Sequence, residues 1–178
     1  GGAGAAGVKA GPCENINIQD NTVYHAHGGF VIGSEFSGGM KNIVVRNNTF
    51  QGTDAGLRFK SAVKRGGKSE NIYIDHIYMT DITGDAITFE TTYFDNHVGA
   101  KQQAAPIKQE FLPDFQDIHI SNVYVRGCKN GIVAHGAEGM IHDITIKDCN
   151  IFYNKNAKDI DAACKITLEN VNFSTFAK

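Results

Sequence analysis

Two cations alternate with two hydrophobes in Gly56-Leu57-Arg58-Phe59-Lys60. On a strand this sends Leu57 and Phe59 to one side and Arg58 and Lys60 to the other, with the cations about 7 Å apart. Arginine offers a planar fork that grips a carboxylate bidentately, and lysine adds a mobile point charge. Together they suit a carboxylate-bearing sugar such as a uronate. About one repeat earlier lies Tyr24-His25-Ala26-His27-Gly28-Gly29-Phe30. His27 would stand one layer away, and Gly28 and Gly29 would let a sugar ring approach the backbone. The alternative is ordinary surface chemistry: Lys60 pairs with Glu90, Arg58 finds any nearby acid, and such pairs add little stability. His27, like His25, could equally be a satisfied polar residue.

Cleaving a glycosidic bond takes two carboxyl groups, one to protonate the leaving oxygen and one to attack or to activate water. No paired carboxylates are expected on this face. Asp20, Asp54 and Asp85 read as single turn formers. These residues therefore describe a binding half without an acid.

The elements that must carry these residues are set by a repeat. An apolar residue, a second two positions on and a third seven positions on recur six times, as Ile16, Ile18, Val23; Ile43, Val45, Phe50; Ile72, Ile74, Met79; Ile118, Ile120, Val125; Ile144, Ile146, Ile151; and Ile166, Leu168, Phe173. The position five after the first holds Asn21 and Asn48 in the first two repeats, where inward asparagines could stack as a ladder. A second strand follows at a nearly fixed offset: Phe30 and Ile32, Leu57 and Phe59, Ile87 and Phe89, Ile132 and Ala134, Ile160 and Ala162. Glycine often precedes it, at Gly29, Gly56, Gly84 and Gly131. Period-2 alternation with β-branched residues and glycine punctuation means strands and turns. The leucine-asparagine signature of leucine-rich repeats is absent, and no segment sustains a helical period. The pattern predicts an all-β fold, a right-handed parallel β-helix whose coils stack about 4.8 Å apart.

Stacking turns offsets into columns, so Val31, Arg58 and Thr88 should share one outward column and Gly33, Lys60 and Glu90 the next. The long gap from Ile72 to Ile118 must hold an insertion, placed between Phe89 and Ile118 and beginning Glu90-Thr91-Thr92-Tyr93. Such a segment is either a functional wall or a disordered excursion. It leaves the strand that carries the outward charges, which favours the wall.

Composition sets the remaining bounds. At 178 residues the chain fits one domain. A net charge of −2 with no block of like charge argues against a nucleic-acid partner. No apolar run is long enough to cross a membrane as a helix. Residues 1–11 read as a flexible Gly/Ala-rich leader and 12–178 as the β-helix. The leader lacks the features of a signal peptide. Cys13, Cys128, Cys149 and Cys164 lack CxxC spacing, so no zinc site is expected. Disulfides and small buried hydrophobes both remain open for them. No metal or cofactor is implied.

The run His25 to Glu35, then Ser37-Gly38-Gly39, Gly52 to Ser61 and Arg65-Gly66-Gly67, resembles the polygalacturonases of glycoside hydrolase family 28. That family folds as a right-handed parallel β-helix and carries Asn-x-Asp, Asp-Asp, Gly-His-Gly and Arg-Ile-Lys motifs in order. The resemblance implies that His27, followed by Gly28, tunes the protonation of the catalytic carboxyls. It implies that Arg58 and Lys60 grip a galacturonate carboxylate, and that Tyr93 contacts substrate. Ala26 departs from the first glycine of Gly-His-Gly, and Phe59 from the isoleucine of Arg-Ile-Lys. Neither Asn-x-Asp nor Asp-Asp precedes His27, so the chain is similar to the C-terminal part of such an enzyme, with the catalytic aspartates outside it. The implied activity is inverting hydrolysis of α-1,4-galacturonosidic bonds in pectin by a secreted or periplasmic protein. Polygalacturonate or another pectic oligosaccharide is the expected partner, along with a partner chain that could supply N-terminal turns. The other reading is a non-catalytic β-helix that binds acidic polysaccharide or serves as a structural module. A pectate lyase is weaker, because it would need calcium and an acidic cluster.

Overall fold

The computed structural model describes residues 11–92 and 111–175. Strands dominate: β1 (Cys13–Gln19), β2 (Thr22–Tyr24), β3 (Phe30–Ile32), β4 (Met40–Gln51), β5 (Leu57–Lys60), β6 (Lys68–Thr80), β7 (Asp85–Glu90), β8 (Asp114–Phe115), β9 (Ile118–His135), β10 (Ile144–Ile160) and β11 (Ile166–Thr175). All pair in parallel in one continuous sheet that curls round as a right-handed β-helix. One column runs β1-β4-β6-β9-β10-β11, and a second runs β3-β5-β7-β9. The expected tail, residues 1–11, lies outside the described residues save for Gly11.

The register reproduces the repeat residue by residue. Ile16 lies beside Ile43, then Ile72, Ile118, Ile144 and Ile166. These columns stack branched side chains inside the coil, where Ile43, Val45, Ile72 and Ile118 are buried. Corners are turned by residues with positive φ. Asn15, Asn42, Asn71, Asp117 and Asp143 precede the first strand segment, at φ between 51 and 58°. Asparagine and aspartate tolerate this left-handed region better than other side chains. Their amides also tie the coils together, with Asn42 donating to Asn15 at 3.1 Å and Asn71 donating to Asn42 at 2.6 Å. The inward ladder is confined to two residues: Asn48 accepts from the Asn21 side chain at 3.0 Å and donates to the Ile18 and Arg46 carbonyls. It ends there because Ile77 follows in that column.

The glycines before the second strand have a packing cause. A Cβ on Gly29 would come within 2.2 Å of the Phe50 ring, on Gly56 within 2.3 Å of Met79 Sδ, and on Gly131 within 2.4 Å of the Ala157 carbonyl. The next coil fills the space a side chain would need.

The fifth coil departs from the expected register. Lys158 pairs with Ile132 and Ile160 with Ala134, a slip of two residues from the expected pairing of Ile160 with Ile132. Irregularities between Phe152 and Asn156 absorb the difference. The four cysteines are free, and three are buried. Burial pushes the Cys128 thiol up to about 12 and the Cys149 thiol up to about 11, so neither is poised as a nucleophile.

Candidate active-site face

Strand β5 holds Leu57 and Phe59 fully buried and leaves Arg58 and Lys60 on the outer side. Phe59 anchors the strand. Its ring stacks on Phe89 at 4.5 Å and meets Phe30 and Phe115 edge-on at 6.3 and 6.0 Å. Such aromatic packing fixes the backbone from which both cations project. Arg58 sits between Val31 and Thr88, and Lys60 lies beside Glu90. Gly33 packs against the end of the same strand, where an added Cβ would come 1.7 Å from the Lys60 carbonyl oxygen.

The ion pairing runs across columns. Arg58 Nη2 lies 3.3 Å from Glu90 Oε2, although Glu90 is the register partner of Lys60. His27 Nδ1 lies 2.7 Å from Asp54 Oδ2, and Thr83 donates to Asp54 Oδ1 at 3.2 Å. The hydrogen bond from His27, then that from Thr83, holds the Asp54 carboxyl below the usual carboxylate range. The positive charges of His27 and Arg58 act in the same direction. The face therefore carries two ion pairs, His27 with Asp54 and Arg58 with Glu90. Gly28 is closely packed, since an added Cβ would meet Val31 Cγ2 at 2.3 Å. Tyr93 lies outside the described residues.

Sequence reasoning missed Asp54 as a partner, although it stands 27 residues after His27, one coil length. It also missed a second acidic group on this face. The columns of Arg58 and Lys60 continue through Val133 and His135 to Asp159 and the strand end. His135 Nε2 lies 3.3 Å from Asp159, and its Nδ1 lies 3.1 Å from Asp161. The expectation of no paired carboxylates on this face is thus corrected. The slipped register of the fifth coil brings Asp159 and Asp161 to a position that constant offsets did not assign them. Both are committed to His135.

The insertion leaves at the expected place. Thr92 bridges to Ala62 as β7 ends, and the chain returns at Phe111, whose carbonyl accepts from Lys64 and Gly66. Both ends of the segment therefore flank the strand that carries Arg58 and Lys60.

The profile of Glycosyl hydrolases family 28 matches residues 5–175. The chain belongs to glycosyl hydrolase family 28. It is 31% identical over 132 residues to a polygalacturonase of Ralstonia solanacearum, covering 72% of this chain and 22% of that protein. It is 29% identical over 125 residues to an exo-poly-alpha-D-galacturonosidase of Dickeya chrysanthemi, covering 70% and 20%. Among solved structures, a hyperthermoactive exopolygalacturonase from Thermotoga maritima superposes with a TM-score of 0.82 at 32% identity, covering 97% of this chain and 37% of that one. This family 28 chain thus spans about a fifth to just over a third of the length of the proteins it matches.

Proposed function

We propose that this family 28 chain is the substrate-gripping portion of a pectin-degrading glycoside hydrolase that cleaves α-1,4-galacturonosidic bonds with inversion. The observation that carries the reading is the outward pair Arg58 and Lys60 on β5, next to the His27–Asp54 pair. Arg58 and Lys60 hold a galacturonate carboxylate, Tyr93 and the Gly28 backbone contact the sugar, and His27 tunes the protonation of the catalytic carboxyls. The general acid and the water-activating base come from outside the chain, since neither Asn-x-Asp nor Asp-Asp precedes His27. The names of the relatives support polygalacturonate as substrate, and a secreted or periplasmic location is part of the same proposal. Ile16 and Ile18 are half-exposed where their column neighbours Ile43 and Val45 are buried, which supports further coils or a partner chain stacked on β1.

The test is reducing-end release from polygalacturonate. The purified 178-residue chain should release none, and release would put the acids inside it. A second reading, a non-catalytic acidic-polysaccharide binder, is favoured by one observation: the carboxylates Asp54, Glu90, Asp159 and Asp161 each contact a basic side chain. Binding of galacturonate oligomers by the intact protein, without hydrolysis, would select it.

A further inference from the structure

A different face of the coil, formed by the first strand segments, carries a second constellation. One outward column there runs Val44, Tyr73, His119, and the next runs Arg46, Asp75, Ser121, Lys147. Tyr73 is 49% exposed, and its ring stacks on His119 at 4.9 Å. Together with Arg46, Asp75 and Ser121 these rings line a shallow depression of about 360 Å³. That falls at the lower end of the usual range for ligand sites, about 300–1,000 Å³.

Charge along this face is unevenly satisfied. Asp75 is saturated by its own surroundings: Ser121 donates to it at 2.9 Å, Asn122 at 2.8 Å, and the His76 ring lies 2.6 Å away. Asp117 is likewise engaged, 2.8 Å from His119 Nε2. Arg46, the register neighbour of Asp75, makes no side-chain ion pair or hydrogen bond among the described residues, and neither does Lys147. Both are exposed. They stand three layers apart in one column, roughly 14 Å at the usual strand spacing. An exposed guanidinium at one end, an ammonium at the other, and an aromatic flank with a hydroxyl between them match an extended ligand with repeated carboxylates and apolar ring faces.

We propose that the face bearing Arg46, Tyr73, His119, Ser121 and Lys147 is a second binding site, for a short stretch of an acidic glycan. Arg46 and Lys147 take carboxylates, and Tyr73 packs against a sugar ring. The identity of the ligand rests on the galacturonan reading above, but the site does not share residues with Arg58 and Lys60. It would hold the polymer on the protein's flank while another stretch occupies the β5 face.

The experiment is calorimetric titration of the intact protein with tetragalacturonate, under conditions where no reducing ends are released, using cellotetraose as the neutral control. Wild type should show two classes of site. The variant Arg46→Ala/Tyr73→Ala should lose one class, with affinity there falling at least tenfold. Arg58→Ala/Lys60→Ala should keep that class and lose the other. Unfolding midpoints matching wild type establish that these exposed substitutions leave the fold intact. The proposal is overturned if Arg46→Ala/Tyr73→Ala binds with wild-type stoichiometry and affinity, if Arg58→Ala/Lys60→Ala binds nothing, or if cellotetraose binds the Arg46 class equally well. If Arg58→Ala/Lys60→Ala instead binds as wild type does, the β5 reading fails while the Arg46 site stands.

Discussion

The guanidinium of Arg58 reaches diagonally to the carboxylate of Glu90, Nη2 to Oε2 at 3.3 Å, while strand register sets Glu90 opposite Lys60. Both side chains are partly exposed, at 25 and 34%, so solvent screening keeps the stabilisation small. The contact matters more for what it occupies. A sugar carboxylate that takes the fork of Arg58 must compete with Glu90. Arg58→Ala in the intact protein should weaken galacturonate-oligomer binding at least tenfold, in line with about 1.5–3 kcal/mol for a charged hydrogen bond. Glu90→Gln should tighten it. Titration calorimetry reads both, and weaker binding in Glu90→Gln would show that the acid supports the ligand instead of competing with it.

The His27–Asp54 pair predicts a shift in one carboxyl titration. Asp54 is held below its ordinary value first by the hydrogen bond from His27 and then by that from Thr83. A lowered folded value means that the pair's contribution is present above the unfolded value, about 3.9, and is lost as pH falls through the lowered one. His27→Ala should therefore move the Asp54 titration upward, with Thr83→Val giving a smaller shift. Carboxyl-carbon NMR titration measures this. An unmoved Asp54 would show that His27 is not its main partner.

The core columns were legible because a β-helix converts sequence offset directly into neighbourhood. Ile16, Ile43 and Ile72 could be stacked on paper, and Arg58 and Lys60 could be turned outward, from period-2 alternation alone. Offsets state which residues lie in one column and nothing about how far a long side chain leans. That is why the Arg58–Glu90 diagonal was not legible, nor the clasp of Asp159 and Asp161 on His135. The fifth coil failed for a related reason. A two-residue slip between Phe152 and Asn156 leaves the hydrophobic alternation intact while moving the later residues of β10 into the next column of the same face. The left-handed corners at Asn15, Asn42 and Asn71 carried a signal in residue type, since asparagine favours that conformation at a recurrent position.

The aromatic cluster behind β5 predicts coupling between core and face. Phe59 is fully buried and packs against Phe89, Phe30 and Phe115. Phe59→Ala should cost about 3–5 kcal/mol in urea unfolding of the intact protein. Phe59→Leu should cost less, and Phe59→Ile would restore the residue expected between the two cations in the family motif. If Phe59→Ala unfolds at the wild-type midpoint, the stack does not anchor the strand.

His142 predicts a stability profile with a definite sign. Burial alone would lower its value, but hydrogen bonds with Asp143 and Asp114 outweigh it, and the net direction is upward. Nδ1 lies 2.7 Å from Asp143 and Nε2 lies 2.9 Å from Asp114. Lys68, the register neighbour of Asp114, is itself turned to Glu70 at 2.7 Å. The imidazolium therefore joins the corner that begins β10 to the strand on which the chain returns from its insertion. A raised folded value means that the contribution is complete below the unfolded value, about 6.5, and is lost as pH rises through the raised one. The thermal midpoint of the intact protein should fall between pH 5 and pH 8.5 by an amount that His142→Gln abolishes. That variant should melt earlier than wild type at pH 5 and close to it at pH 8.5. An unchanged pH slope in His142→Gln would assign the loss to other groups and leave His142 as packing alone.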